Sequence, residues 1–197
     1  MNFNIKLNLI LGTLCLIIML ALLPLAHAQV TAFKSTNDGF QVSVPAANFK
    51  LLGTETKRGW YVFPLQTWWG APKTTADGSP VTQTTYAGNN SQGDYRVVVA
   101  TYDREITKDR FLALVNTQRG ELVTSKDDLD FDGQYGVLRL VKTPEGKMAN
   151  WMTFKGKKFY QIIFGSSLTA EQINFDEVNA FVNSFKFVEC FLPEGCN

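Results

Sequence analysis

The spacing of apolar residues changes along this chain, and each change of period marks an element. Residues 7–25 are almost wholly apolar, broken by Asn8, Gly12, Thr13, Cys15 and Pro24. From Phe33 the pattern turns to alternation. Phe40, Val42 and Val44 alternate with Gln41 and Ser43 behind a Thr36-Asn37-Asp38-Gly39 turn, which predicts a hairpin of Phe33–Ser35 with Phe40–Val44 that Pro45 stops. Phe49–Leu52 and Trp60–Leu65 predict strands about a Lys57-Arg58-Gly59 turn. Residues 70–80, rich in Gly, Pro, Thr and Ala and without period, predict a loop. Val81–Tyr86 and Tyr95–Tyr102 predict another hairpin.

The period then lengthens. Thr107 can cap a helix that ends before Gly120, with Phe111, Leu112 and Val115 on one face. Strands follow at Leu122–Phe131, Tyr135–Val141, Met148–Phe154 and Phe159–Phe164, joined by Asp132-Gly133, by Pro144–Lys147 and at Gly156. Thr169 with Gln172, or Asn174 with Glu177, can form a capping box before a last helix. There Phe175, Val178, Phe181, Val182 and Phe185 make one thick apolar stripe. The fold class expected from this order is α+β, an antiparallel β-sheet flanked by helices.

The first apolar run changes the picture of the rest. A start carrying one positive charge at Lys6, the apolar run and the Ala26-His27-Ala28 ending read as a secretory signal cleaved after Ala28, with a retained anchor as the competing reading. The division expected is residues 1–28 as signal, 29–188 as one α+β domain and 189–197 as a C-terminal tail. Such a protein is periplasmic or secreted, with no membrane span once the signal is gone.

Composition prunes function. With 45% hydrophobic and 19% charged residues and a net charge of +1, the chain suits a globular domain and lacks the basic face that nucleic-acid binding needs. The one histidine, His27, lies in the signal, so the mature chain can form neither a Ser-His-Asp triad, nor a Cys-His pair, nor a His-ligated zinc site. No Gly-x-Ser-x-Gly elbow, Ser-x-x-Lys or phosphate-binding loop is present. A non-catalytic module without cofactor or metal is therefore expected. A carboxylate-dependent hydrolase of envelope glycan and a purely structural envelope protein are the alternatives.

Three segments resemble a known family. Asp38-Gly39-Phe40-Gln41-Val42-Ser43-Val44-Pro45 resembles the Gly-Phe-x-Val-x-x-Pro opening of the PsbP-like superfamily. Asp132-Gly133-Gln134-Tyr135-Gly136 is similar to its Asp-Gly-x-x-Gly turn, and Phe181 to Phe187 to its Phe-x-x-Ser-Phe-x-Phe ending. The resemblance implies an exported α/β/α sandwich acting as a binding or assembly module, as in photosystem extrinsic proteins, Ran-binding proteins and bacterial envelope proteins. It implies no shared catalytic residues.

Trp68 and Trp69, with Tyr61 nearby, are the candidate binding residues, an aromatic platform for an envelope protein or small ligand; the competing reading packs them in the core. Asp128-x-Asp130-x-Asp132-Gly133 copies half of a calcium loop, but Arg139 stands where the bidentate glutamate belongs, so a strand entering an Asp-Gly turn is expected. Lys155-Gly156-Lys157-Lys158 reads as a solvated turn. Cys190 and Cys196, the only mature cysteines, flank Pro193 and Gly195 and are expected to form a disulfide in an oxidising compartment. A monomer is expected.

Overall fold

The computed structural model describes residues 30–57, 81–116, 121–143 and 146–189. Ten strands fall in it: β1 (Thr31–Ser35), β2 (Phe40–Val44), β3 (Lys50–Lys57), β4 (Val81–Asn89), β5 (Asp94–Thr101), β6 (Glu121–Phe131), β7 (Gln134–Thr143), β8 (Gly146–Lys155), β9 (Lys158–Ser166) and β10 (Lys186–Phe187). Helix α1 (Lys108–Val115) lies between β5 and β6, and α2 (Phe175–Asn183) between β9 and β10. The expected Trp60–Leu65 strand and the 70–80 loop lie outside the described residues.

The strands form two antiparallel sheets. Seven are ordered β3-β4-β5-β9-β8-β7-β6, and three are ordered β1-β2-β10. Register assigns the faces of the large sheet. Tyr95 opposes Phe164, Val97 opposes Ile162 and Val99 opposes Tyr160, so these six share one face. That face packs on Phe40, Val42 and Val44 of the small sheet and on Val178, Phe181 and Val182 of α2 in one core. On the other face, Phe111, Leu114 and Val115 of α1 pack with Ala100, Val137, Met152 and Phe159.

The expected α+β sandwich flanked by helices is therefore corrected to a β-sandwich-like fold, with 58% of the described residues in strands and 16% in helices. Length gives the reason. A nine-residue helix is about 14 Å long, whereas seven strands span about 29 Å. Two short helices cannot make two covering layers, and the small sheet supplies the missing cover. The α/β/α arrangement implied by the PsbP-like resemblance falls with it.

Local chemistry behaves as its residues dictate. Thr107 Oγ1 accepts from the N–H of Arg110 at 3.3 Å, capping α1. Asn174 Oδ1 accepts from the N–H of Glu177 at 3.3 Å, capping α2, and Gln172 Oε1 accepts from the N–H of Thr169 at 3.1 Å in the 3₁₀ turn before it. Asp132 and Gly133 take φ of 53° and 82°, as a tight hairpin turn requires. Gly136 has another constraint. A Cβ there would run into the Phe131 ring and would also meet the Met152 carbonyl oxygen at 2.8 Å.

Candidate binding groove

The shared inner face is not covered evenly. Along its rows, Thr124, Leu140, Ala149 and Phe164 stand side by side, as do Lys126, Leu138, Trp151 and Ile162. α2 crosses this surface near β9 with Val178, Phe181 and Val182 turned down. A groove of about 250 Å³ remains between helix and strands. Leu138, Leu140, Trp151 and Phe164 form its floor, and Ile173, Phe175 and Val178 its wall.

Phe175 is 54% exposed although it belongs to the apolar stripe of its helix. The stripe thus divides: Phe181 is fully buried, and Phe175 faces the groove. Polar atoms reach the groove from Thr124, Lys147 and Asn179, and among the described residues no carboxylate lines it. Lys147 also faces the exposed Glu171. The backbone N–H of Glu171 and the Thr169 hydroxyl hold that carboxyl below its usual range, and Lys147 adds to the effect. Among the described residues the groove's lining carries one ammonium and many apolar groups, which suits an apolar occupant.

A second cluster lies beneath the small sheet. Tyr86 donates its hydroxyl to Asp38 Oδ2 at 2.5 Å, and Ser35 Oγ lies 2.8 Å from that hydroxyl. Lys158 Nζ sits 3.5 Å from Asp38 Oδ1 and donates to the Asn37 carbonyl at 2.6 Å. Tyr160 donates to the Asp38 carbonyl at 2.9 Å. Burial holds the Lys158 ammonium below its usual pKa, against the pull of Asp38. Burial, then the bond to Asp38, pushes the Tyr86 phenol well above the ordinary tyrosine value. This cluster pins the β1–β2 turn to β4 and β9. It is a buried clasp that does not line the groove.

The residues singled out from sequence fare unequally. Tyr61, Trp68, Trp69, Cys190, Cys196 and the signal segment lie outside the described residues. The Asp128–Asp132 run forms the expected strand and turn, with Asp130 Oδ1 accepting from the Gly133 N–H at 2.7 Å and Asp127 paired to Arg139 at 2.6 Å. The 155–158 segment does turn at Gly156, but Lys158 is not solvated: it is the cation of the clasp. Trp151, Leu138 and Leu140 gave no sequence signal, because a strand that lines a groove alternates like any other. On the opposite sheet face Gln83, Asn150 and Gln161 each bury a polar side-chain atom with no partner among the described residues, and none of them lines the groove.

Among the described residues no helix is long and apolar enough to cross a membrane, and no trio of Cys, Asp or Glu is placed to hold a metal. The chain matches no family model, no curated protein and no solved structure.

Proposed function

We propose that this protein is an exported, non-catalytic binding or assembly module that holds one or two apolar side chains of an envelope protein between α2 and the β7–β9 surface. The observation that carries the reading is the open apolar groove with Phe175 exposed at its wall. Large exposed aromatics beside an apolar cleft are the mark of a surface that meets something else.

Size favours a side chain over a free small ligand. A cavity of about 150 Å³ accommodates benzene, and drug-sized ligands occupy about 300–1,000 Å³. The 250 Å³ here lies between, enough for an aromatic ring or a pair of branched aliphatic groups. Hydrolysis of glycan is less well supported, since it needs two carboxylates about 5–9.5 Å apart around a substrate. Export rests on residues 1–28, and the binding role is the one that the PsbP-like resemblance implied.

The test fills the groove. Indole, a ring without a chain, should shift the NMR signals of residues around Trp151 and Phe175, and Ala149→Trp should abolish those shifts without melting the sheet. A photo-cross-linker at position 175 should then capture one envelope protein, with capture suppressed by indole and by Ala149→Trp. Failure of indole to bind, or capture indifferent to both, would end the reading.

A further inference from the structure

We propose that β6 pairs antiparallel with β6 of a second copy of this chain, joining two seven-stranded sheets edge to edge about a two-fold axis. Among the described residues β6 is the outer strand of its sheet, and every residue from Glu121 to Asp128 is exposed. Edge strands of this length are usually guarded by charges and bulges that stop further pairing. In β6 the guard is uneven. The half toward the hairpin tip carries Lys126, Asp127, Asp128 and Asp130, its register shifts between Lys126 and Leu129, and Asp128 takes a φ of 61°. The other half runs Leu122-Val123-Thr124-Ser125 without a charge, has a single bulge at Val123, and exposes Leu122 by 56% and Val123 by 54%.

This unguarded window is bracketed by Glu121 and Lys126, and that bracket is self-complementary. Antiparallel self-pairing sets Glu121 against Lys126 of the second copy, Leu122 against Ser125 and Val123 against Thr124, and symmetry repeats each pair. The faces agree as well. Glu121 lies in the row of Lys142 and Lys147, and Lys126 in the row of Leu138 and Trp151, four residues along the same strands and hence on the same face. Neither Glu121 nor Lys126 has an ion-pair partner among the described residues, although Lys142 stands opposite Glu121.

Charge also selects the register. A slide of two residues toward the hairpin tip sets Glu121 against Asp128 of the second copy, and a slide of two the other way sets it against uncharged Thr124. Only the register described unites opposite charges at both ends of the window. The seam then runs beside Thr124, at the lip of the groove, and the dimer replaces the monomer expected from sequence.

Sedimentation velocity of the purified protein over a concentration series tests this, with circular dichroism confirming that each variant keeps its sheet. A reversible dimer is expected, and Val123→Lys should abolish it. Glu121→Lys and Lys126→Glu should each weaken it about tenfold, since each turns two attractive pairs into repulsive ones. The double swap should restore the dimer, and the two single variants mixed should form a heterodimer tighter than either alone. A monomer at every concentration, or a dimer unmoved by either single reversal, would overturn the proposal. The groove-filling Ala149→Trp variant should dimerise normally, so loss of groove binding and loss of the dimer are separable.

Discussion

One face of the large sheet has two halves with opposite fates. Beneath the small sheet, over β4, β5 and the near end of β9, Phe40 and Tyr95 are 0% exposed, and Asp38, Ser35, Tyr86, Lys158 and Tyr160 are tied into a clasp. Toward β7 and β8 the same face leaves Leu138, Leu140 and Trp151 only half-buried. Both halves carry large apolar residues; the cover differs. Three short strands and a nine-residue helix reach only part of the way across, and the remainder is where another molecule has room to sit.

The largest expected effect concerns the sealed half in alkali. Burial raises the phenols of Tyr86, Tyr95 and Tyr160, and of Tyr102 near α1. Below pH about 10 both folded and unfolded chains keep these protons; above it the unfolded chain loses them while the folded chain does not. The unfolded state then binds fewer protons, so stability falls as pH rises through that region. Lys158, held low by burial, acts in the opposite sense below pH about 10.4, one group against four. Tyrosinate absorbance should therefore rise together with loss of circular dichroism. A folded protein whose tyrosines titrate freely near pH 10 would erase the distinction between the halves.

Next in size is the clasp itself. Asp38→Ala leaves a buried ammonium without its carboxylate and should cost about 3–5 kcal/mol in urea unfolding. The double replacement Asp38→Leu with Lys158→Met should cost less than the single change, because no orphan charge remains. A single change costing under about 1 kcal/mol would mean the clasp is solvated.

The open half has one rigid point of its own. Gly136→Ala drives a methyl group into the Phe131 ring and should cost about 1–3 kcal/mol, much of it recovered in a Phe131→Leu background. The smallest effect completes the contrast on a single helix. Phe175→Ser should leave the urea midpoint within about 0.5 kcal/mol while abolishing indole binding, whereas Phe181→Ala should cost about 3–5 kcal/mol. Equal costs at the two positions would show that α2 buries both.

What could be seen in the sequence was what local chemistry decides. The Thr107 and Asn174 caps, the Asp132-Gly133 turn and the strand alternation all lie within a few residues of their cause. The layering depends on distant pairings such as Lys186 with Gln41, which no window of sequence contains, so the departure of β1 and β2 from the main sheet leaves no local sign. The groove was hidden for the same reason. Alternation announces that Leu138 and Trp151 share a face, not whether anything lies over them. The one available hint was the stripe on α2, wider than a nine-residue helix can bury, and its surplus residue is Phe175. Lys158 reads as solvated in the sequence because a turn lysine gives no sign that a carboxylate from residue 38 will reach it.

The closing of the small sheet has a consequence in time. β2 finds its second neighbour only in β10, and Ser184 Oγ bonds the Ser43 backbone across 141 positions of sequence. During synthesis the opening hairpin is made early, but Phe40 must wait for Phe185, which stacks on it at 5.9 Å, before its core is complete. The emerging chain therefore has no finished domain to fold into until nearly its last described residue has been joined. Contacts this distant also slow folding. A polypeptide built in this way stays threadable until β10 has been made, and locks only then.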